Sequence, residues 1–137
     1  MEDRAAKIIN DFALLSSWEE KYEYLIEFGR EMQCIEETFK TDEYLIRGCQ
    51  SKVWLSCEYN NKKLYFYADS DALITKGIVA LIVNLYSGAV PKEILKETQD
   101  VFSIIGLREH LSMTRLNGLS IMIQTIKQYA IKYTDYD

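Results

Sequence analysis

Histidine, proline and paired cysteines are all scarce in this chain of 137 residues. A single histidine, His110, leaves any Ser-His-Asp or Cys-His arrangement only one candidate base, and it falls in a charged turn. The three cysteines, Cys34, Cys49 and Cys57, form no CxxC pair and lack the spacing of a structural zinc site or a disulfide framework. Their odd number suits a reducing cytoplasm. Neither GxGxxG nor GxxxxGK occurs, so no dinucleotide or nucleotide phosphate is expected. The most apolar stretch, Ile78 to Leu85, is far shorter than the ~20 residues that cross a bilayer. Met1-Glu2-Asp3-Arg4 is charged with no apolar run behind it, so no secretory signal is expected. Basic residues number 16 against 21 acidic ones, a net charge of −5 without a basic stripe, which argues against nucleic-acid binding by phosphate neutralisation. One proline and six glycines exclude a collagen-like or low-complexity chain.

What is present is a globular composition, 48% hydrophobic and 27% charged. Residues 1–137 read as one domain, large enough to bury roughly two thirds of its unfolded surface without a disulfide or metal. Ile8, Ile9, Phe12 and Leu15 recur at helical spacing over Asp3 to Leu15. Ser17-Trp18-Glu19-Glu20 reads as a capping box opening a second helix with Tyr22, Leu25, Ile26 and Phe28 on one side and Gly29 near its end. From Glu31 to Arg47 no period is sustained, and a long connection with one short helical turn is expected. Val53, Leu55, Cys57 and Tyr59 alternate with Trp54, Ser56 and Glu58, Asn60-Asn61-Lys62 supplies a turn, and Leu64, Phe66 and Ala68 share a face on the return. Tyr44-Leu45-Ile46 offers a short third strand. Asp69-Ser70-Asp71 would cap a helix from Ala72 to Tyr86 that is apolar almost all round, and is therefore buried. Ser87-Gly88 stops it, Pro91 opens a short helix, and a turn follows near Leu107 to Leu111. The last helix runs from Met113 to Tyr133, capped by Ser112, with Leu116, Leu119, Ile123, Ile126 and Ala130 as its core stripe. The fold class is α+β, with helices packed on one face of a small antiparallel sheet.

The many carboxylates mostly fall on helix faces and read as solvated, so with one histidine the chemistry rests on cysteine. Cys57 alternates with Val53 and Leu55 and reads as buried and inert. Cys34, in the irregular segment after the second helix, is left open between filler and a role of its own. Cys49 differs. It lies in Ile46-Arg47-Gly48-Cys49-Gln50-Ser51-Lys52, a polar junction in which Gly48 permits an unusual backbone and Arg47 and Lys52 are nearby cations that favour a thiolate.

Four segments together resemble the SufE/CsdE family. Trp18-Glu19-Glu20-Lys21-Tyr22 is similar to its WEEKY element, and Gly48-Cys49-Gln50-Ser51-Lys52-Val53-Trp54 to its GCQSxVW motif. Asp69-Ser70-Asp71-Ala72 with Lys76-Gly77 resembles DSDAxxxKG, and Leu111-Ser112 through Arg115-Leu116-Asn117-Gly118-Leu119 resembles LSPSRxNGL. The segments keep the family's order across most of the chain. Two positions depart from it: Met32-Gln33-Cys34 replaces a Leu-Pro pair, and Met113 stands where proline is common.

The resemblance implies a SufE/IscU-like fold and the work of a sulfur acceptor that activates a cysteine desulfurase in iron–sulfur cluster assembly. Cys49 would receive persulfide sulfur from a SufS/CsdA-like desulfurase and relay it to a downstream acceptor or cluster scaffold. Gly48, Gln50, Ser51 and Arg115 match the motifs and would support Cys49, by shaping its loop or stabilising an anionic persulfide; a plain salt bridge is the other reading of Arg115. Asp69 and Asp71 read as helix caps, and Trp18 and Trp54 as packing. Pyridoxal phosphate would belong to the partner, leaving this chain without cofactor or metal and without a stand-alone reaction. A scaffold for cluster assembly and a regulator that activates a desulfurase by binding alone are the alternatives. No nucleic-acid or membrane partner is implied, and the expected location is cytoplasmic.

Overall fold

The computed structural model describes residues 1–97 and 99–134. In chain order they form α1 (Glu2–Ala13), α2 (Trp18–Glu31), a 3-10 turn (Glu37–Phe39), β1 (Val53–Asn60) and β2 (Lys63–Ser70). Then follow α3 (Leu73–Tyr86), α4 (Pro91–Lys96), α5 (Val101–Ile104), α6 (Leu107–His110) and α7 (Met113–Thr134). The helices pack on a two-stranded antiparallel sheet, as the α+β reading expects. The four-residue α5 leaves no trace in the sequence pattern, because one helical turn is too short to show a period.

The hairpin's register pairs Asn60 with Lys63, so only Asn61 and Lys62 form the turn, with φ of 54° and 67°. Positive φ at both central residues gives the primed turn whose twist matches the strands. Val53, Leu55, Leu64, Phe66 and Ala68 turn one face into the core. The expected third strand is reduced to a single bridge, Leu45 opposite Trp54, carried by Ile46 N–H to the Val53 carbonyl (2.8 Å) and Leu55 N–H to the Tyr44 carbonyl (2.9 Å). On the other edge, Ile35 donates to the Ala68 carbonyl (3.1 Å) and Leu64 to the Ala89 carbonyl (2.9 Å). Connecting segments thus occupy both edges and deny them to foreign strands.

Helix α3 is buried along most of its length, from Gly77 to Ile82 and again at Leu85 and Tyr86. It crosses α2 where two glycines meet: a Cβ on Gly77 would lie 2.3 Å from the Leu25 carbonyl oxygen, and one on Gly29 would lie 3.1 Å from the Gly77 nitrogen. Gly29 is therefore a packing residue as well as a weak spot in helical propensity.

Two capping expectations are corrected. α3 starts at Leu73 behind Ala72 with no side-chain cap, because both neighbouring carboxylates are engaged elsewhere. Asp69, 7% exposed, pairs with Lys40 (2.6 Å) and Lys76 (3.3 Å), while Asp71 accepts from the Lys52 N–H (3.0 Å). At α2, Ser17 does accept from the Glu20 N–H (3.2 Å), but the Glu20 carboxylate takes the Ser16 and Ser17 hydroxyls instead of returning to the Ser17 backbone. α7 is capped as expected, Ser112 accepting from the Arg115 N–H (3.2 Å). Its buried stripe is Leu119, Met122, Ile126 and Ala130, so Met122 joins the core where Leu116 and Ile123 are only partly covered. Among the described residues no helix is long and apolar enough to cross a membrane.

Candidate functional site

The chain between Ile46 and Lys52 is a short loop closed at its base. Ile46 N–H donates to the Val53 carbonyl, and Lys52 exchanges two bonds with Asp71, its N–H to the carboxylate and its carbonyl from the Asp71 N–H (3.2 Å). Gly48 takes φ +96°, which lets the loop turn back, and its bare Cα rests against α7: a Cβ there would lie 2.6 Å from Ile121 Cδ1. The turn delivers Cys49 onto α7 at Gly118, whose carbonyl oxygen lies 3.9 Å from Sγ, within the reach of a weak S–H donor.

Cys49, Gln50 and Ser51 line one side of a cavity of about 80 Å³. Its walls are Thr75, Ile78, Val79 and Ile82 of α3 and Leu119 and Met122 of α7, with Thr114 and Arg115 at the start of α7. A water needs about 10–15 Å³ of such space, so the cavity has room for another sulfur atom beside Sγ. Burial pushes the Cys49 thiol above its ordinary pKa. Arg47 and Lys52 do not offset that burial, which corrects the expectation that they favour the thiolate; both are exposed to solvent, where a cation's field is screened. A thiol donating toward a carbonyl is stabilised in its protonated form, which acts in the same direction. The sulfur as seated is a resting thiol.

Among the expected supporting residues, the structure brings Gln50, Ser51 and Arg115 to the cavity, and places Gly48 beside it on Ile121. Arg115 is exposed and joins none of the ion pairs among the described residues. The other candidates lie apart. His110 is exposed on α6 with Trp18 edge-on against it (3.6 Å between ring centres). Trp54 carries Lys40 over its ring (5.5 Å). Cys34 and Cys57 line a separate groove, and the Cys57 thiol is pushed up to about 12 by burial, against the pull of Lys132. Among the described residues no group of three or more His, Cys, Asp or Glu is placed to hold a metal ion. Sequence reasoning missed the seat that Gly118 and Ile121 provide. A glycine one turn inside a long helix was the available signal, since it costs helix stability unless something packs against it.

Residues 6–130 match the family described as the SufE Fe–S metabolism associated domain. An uncharacterized SufE-like protein of Rhizobium meliloti (strain 1021) is 41% identical over 129 residues, covering 90% of this chain and 92% of that one. A second, from Rhizobium etli, is 40% identical over 129 residues, covering 90% and 87%. The solution structure of a hypothetical protein from Thermus thermophilus superposes with a TM-score of 0.80 over 96% of both chains at 17% identity, which shows a shared fold.

Proposed function

The chain belongs to the SufE family of Fe–S metabolism associated domains, and on that premise we propose that it is a sulfur acceptor whose Cys49 takes persulfide sulfur from a cysteine desulfurase and passes it on. The observation that carries this reading is the seat of Cys49: a single thiol on a short loop, laid over a cavity with space for one more sulfur.

The step balances without a cofactor in this chain. The Cys49 thiolate attacks the terminal sulfur of the partner's cysteine persulfide, a new S–S bond forms, and the old one breaks with its electron pair leaving on the partner's cysteine. One thiolate is consumed and one released, so no net oxidation occurs. Delivery to a downstream acceptor or cluster scaffold repeats the exchange in the other direction. Because the seated sulfur rests as a thiol, attack follows withdrawal from the seat, when docking moves the loop into surroundings that favour the thiolate. The 47–51 loop is suited to this, resting on α7 between its anchors at the Cys49–Gly118 and Gly48–Ile121 contacts, which can part without breaking the core. Back in the seat, a persulfide lies among apolar walls, away from reductants and oxidants. Arg115, which unlike Arg47 and Lys52 lines the cavity, and the start of α7 put positive charge at the rim beside an anionic terminal sulfur.

The test is mass spectrometry after incubation with a desulfurase and L-cysteine. A reductant-labile gain of about 32 Da, one sulfur atom, is expected on the peptide containing Cys49. Cys49→Ser should stay folded and still bind the desulfurase, but accept no sulfur. Labelling confined to Cys34 or Cys57 overturns the assignment. Full stimulation of the desulfurase by Cys49→Ser would leave the binding-only regulator standing.

A further inference from the structure

We propose that Gly118 is a positioning residue for Cys49, setting how deep the sulfur sits by offering no side chain where the loop meets α7. The proposal deepens the sulfur-acceptor reading and, for its consequence on persulfide lifetime, rests on it.

The geometry is two-sided. On the helix, a Cβ at Gly118 would lie 3.3 Å from Cys49 Sγ, 3.8 Å from its Cβ and 4.0 Å from its Cα, so the cysteine occupies the space that any other residue would fill. On the loop, the bare Gly48 lies over Ile121, three residues further along the same face of α7. A hollow at 118 thus receives a knob from the loop, and a knob at 121 fills a hollow in it. Only the contact at Gly118 touches the sulfur.

Helical propensity gives no reason for a glycine here. Gly118 stands five residues inside a helix of 22, in an ordinary helical turn, where alanine would serve the helix better. Its absence of side chain is therefore explained by what packs on it. A methyl group added at 118 must push Sγ back by a few tenths of an ångström, and the side that yields is the loop, since α7 is anchored by the buried Leu119 and Met122 while the loop's backbone anchors lie at its base. Displaced outward, the sulfur loses the Gly118 carbonyl and part of its apolar cover, both of which keep it a thiol.

The experiment compares the parent chain with Gly118→Ala and Gly118→Ser, which place the same Cβ on the sulfur. The rate of Cys49 alkylation by iodoacetamide is measured as a function of pH, with circular dichroism and thermal melts to establish that the variants are folded. Both variants should react severalfold faster at neutral pH, because a sulfur lifted toward solvent and off its carbonyl is more often the thiolate. The midpoint of the pH profile should move down accordingly, a change that a merely structural role would not produce. Once loaded by a desulfurase and L-cysteine, the variants should lose their labile sulfur to a thiol reductant faster than the parent. Folded variants with the parent's rate and pH profile overturn the proposal. Should the parent take no sulfur on Cys49 while the variants still shift its alkylation, the positioning role stands and the sulfur-acceptor reading falls.

Discussion

Replacing Gly77 with alanine should loosen the fold where α3 crosses α2 and disturb the cavity at the same time. The new Cβ would lie 2.3 Å from the Leu25 carbonyl oxygen, where real contacts stop near 3.0 Å. That oxygen belongs to the backbone of α2, so no rotamer relieves the overlap and the two helices must separate by roughly 0.7 Å. Overpacking of this kind costs about 3 kcal/mol at the upper end of its range, while the gain in helix propensity returns about 1 kcal/mol. The net loss of about 2 kcal/mol lowers the melting midpoint of a chain this size by roughly 6–10 °C. Gly29→Ala is the matched control in the same crossing. Its Cβ would meet the Gly77 nitrogen at 3.1 Å and Lys76 Cγ at 3.2 Å, close enough to offset the propensity gain without reversing it, so its midpoint should stay near the parent's. Because Thr75 and Ile78 flank Gly77 and line the cavity, Gly77→Ala should also change the rate of Cys49 alkylation, read in the same samples by mass spectrometry. A Gly77→Ala chain that melts with or above Gly29→Ala would refute the reasoning.

Two further outcomes are expected. At pH 8 the folded chain should be alkylated at Cys49 long before Cys57, whose thiol near 12 leaves only about one part in ten thousand as thiolate; the two sites should become alike in denaturant, and equal native rates would count against the buried placement of Cys57. Burial would raise the Asp69 carboxyl, but Lys40, the Ser70 N–H and Lys76 prevail and hold it below its ordinary value, so its stabilisation is present above the unfolded carboxyl pKa and is lost as pH falls through the folded one. Asp69→Asn should therefore be less stable than the parent by about 1–3 kcal/mol above roughly pH 5, with the gap closing below it. Urea melts across that range check it, and a gap independent of pH would refute it.

The hairpin, the apolar α3 and the capped α7 are legible in the sequence because each carries its own period or cap within a few residues. Asp69 misleads for the opposite reason: its partners, Lys40 and Lys76, come from separate segments, and Lys40 stands in a stretch with no period at all. The candidate site is legible in its cysteine but not in its setting. Cys49 stands out by its glycine and polar neighbours, yet the effect of Arg47 and Lys52 depends on solvent exposure, which sequence adjacency does not reveal. The seat on α7 joins positions 49 and 118, 69 residues apart, and no local pattern links them. The departure at Met113 falls on the first helical position of α7, where the proline of the family pattern would have no helical N–H bond to lose.

Closing the loop at its base also fixes a length. Cys49 is three residues from the anchor at Ile46 and three from the anchor at Lys52, so fully drawn out its Cα travels no more than about 10 Å from either. For the sulfur acceptor proposed above, the tether would act as a ruler: a donor whose sulfur lies deeper than that below its own surface would have to bring the sulfur outward on a mobile segment, and an acceptor would have to do the same. Lengthening the loop by a residue or two would lengthen that reach, at the cost of a Cys49 that returns less reliably to its seat on α7.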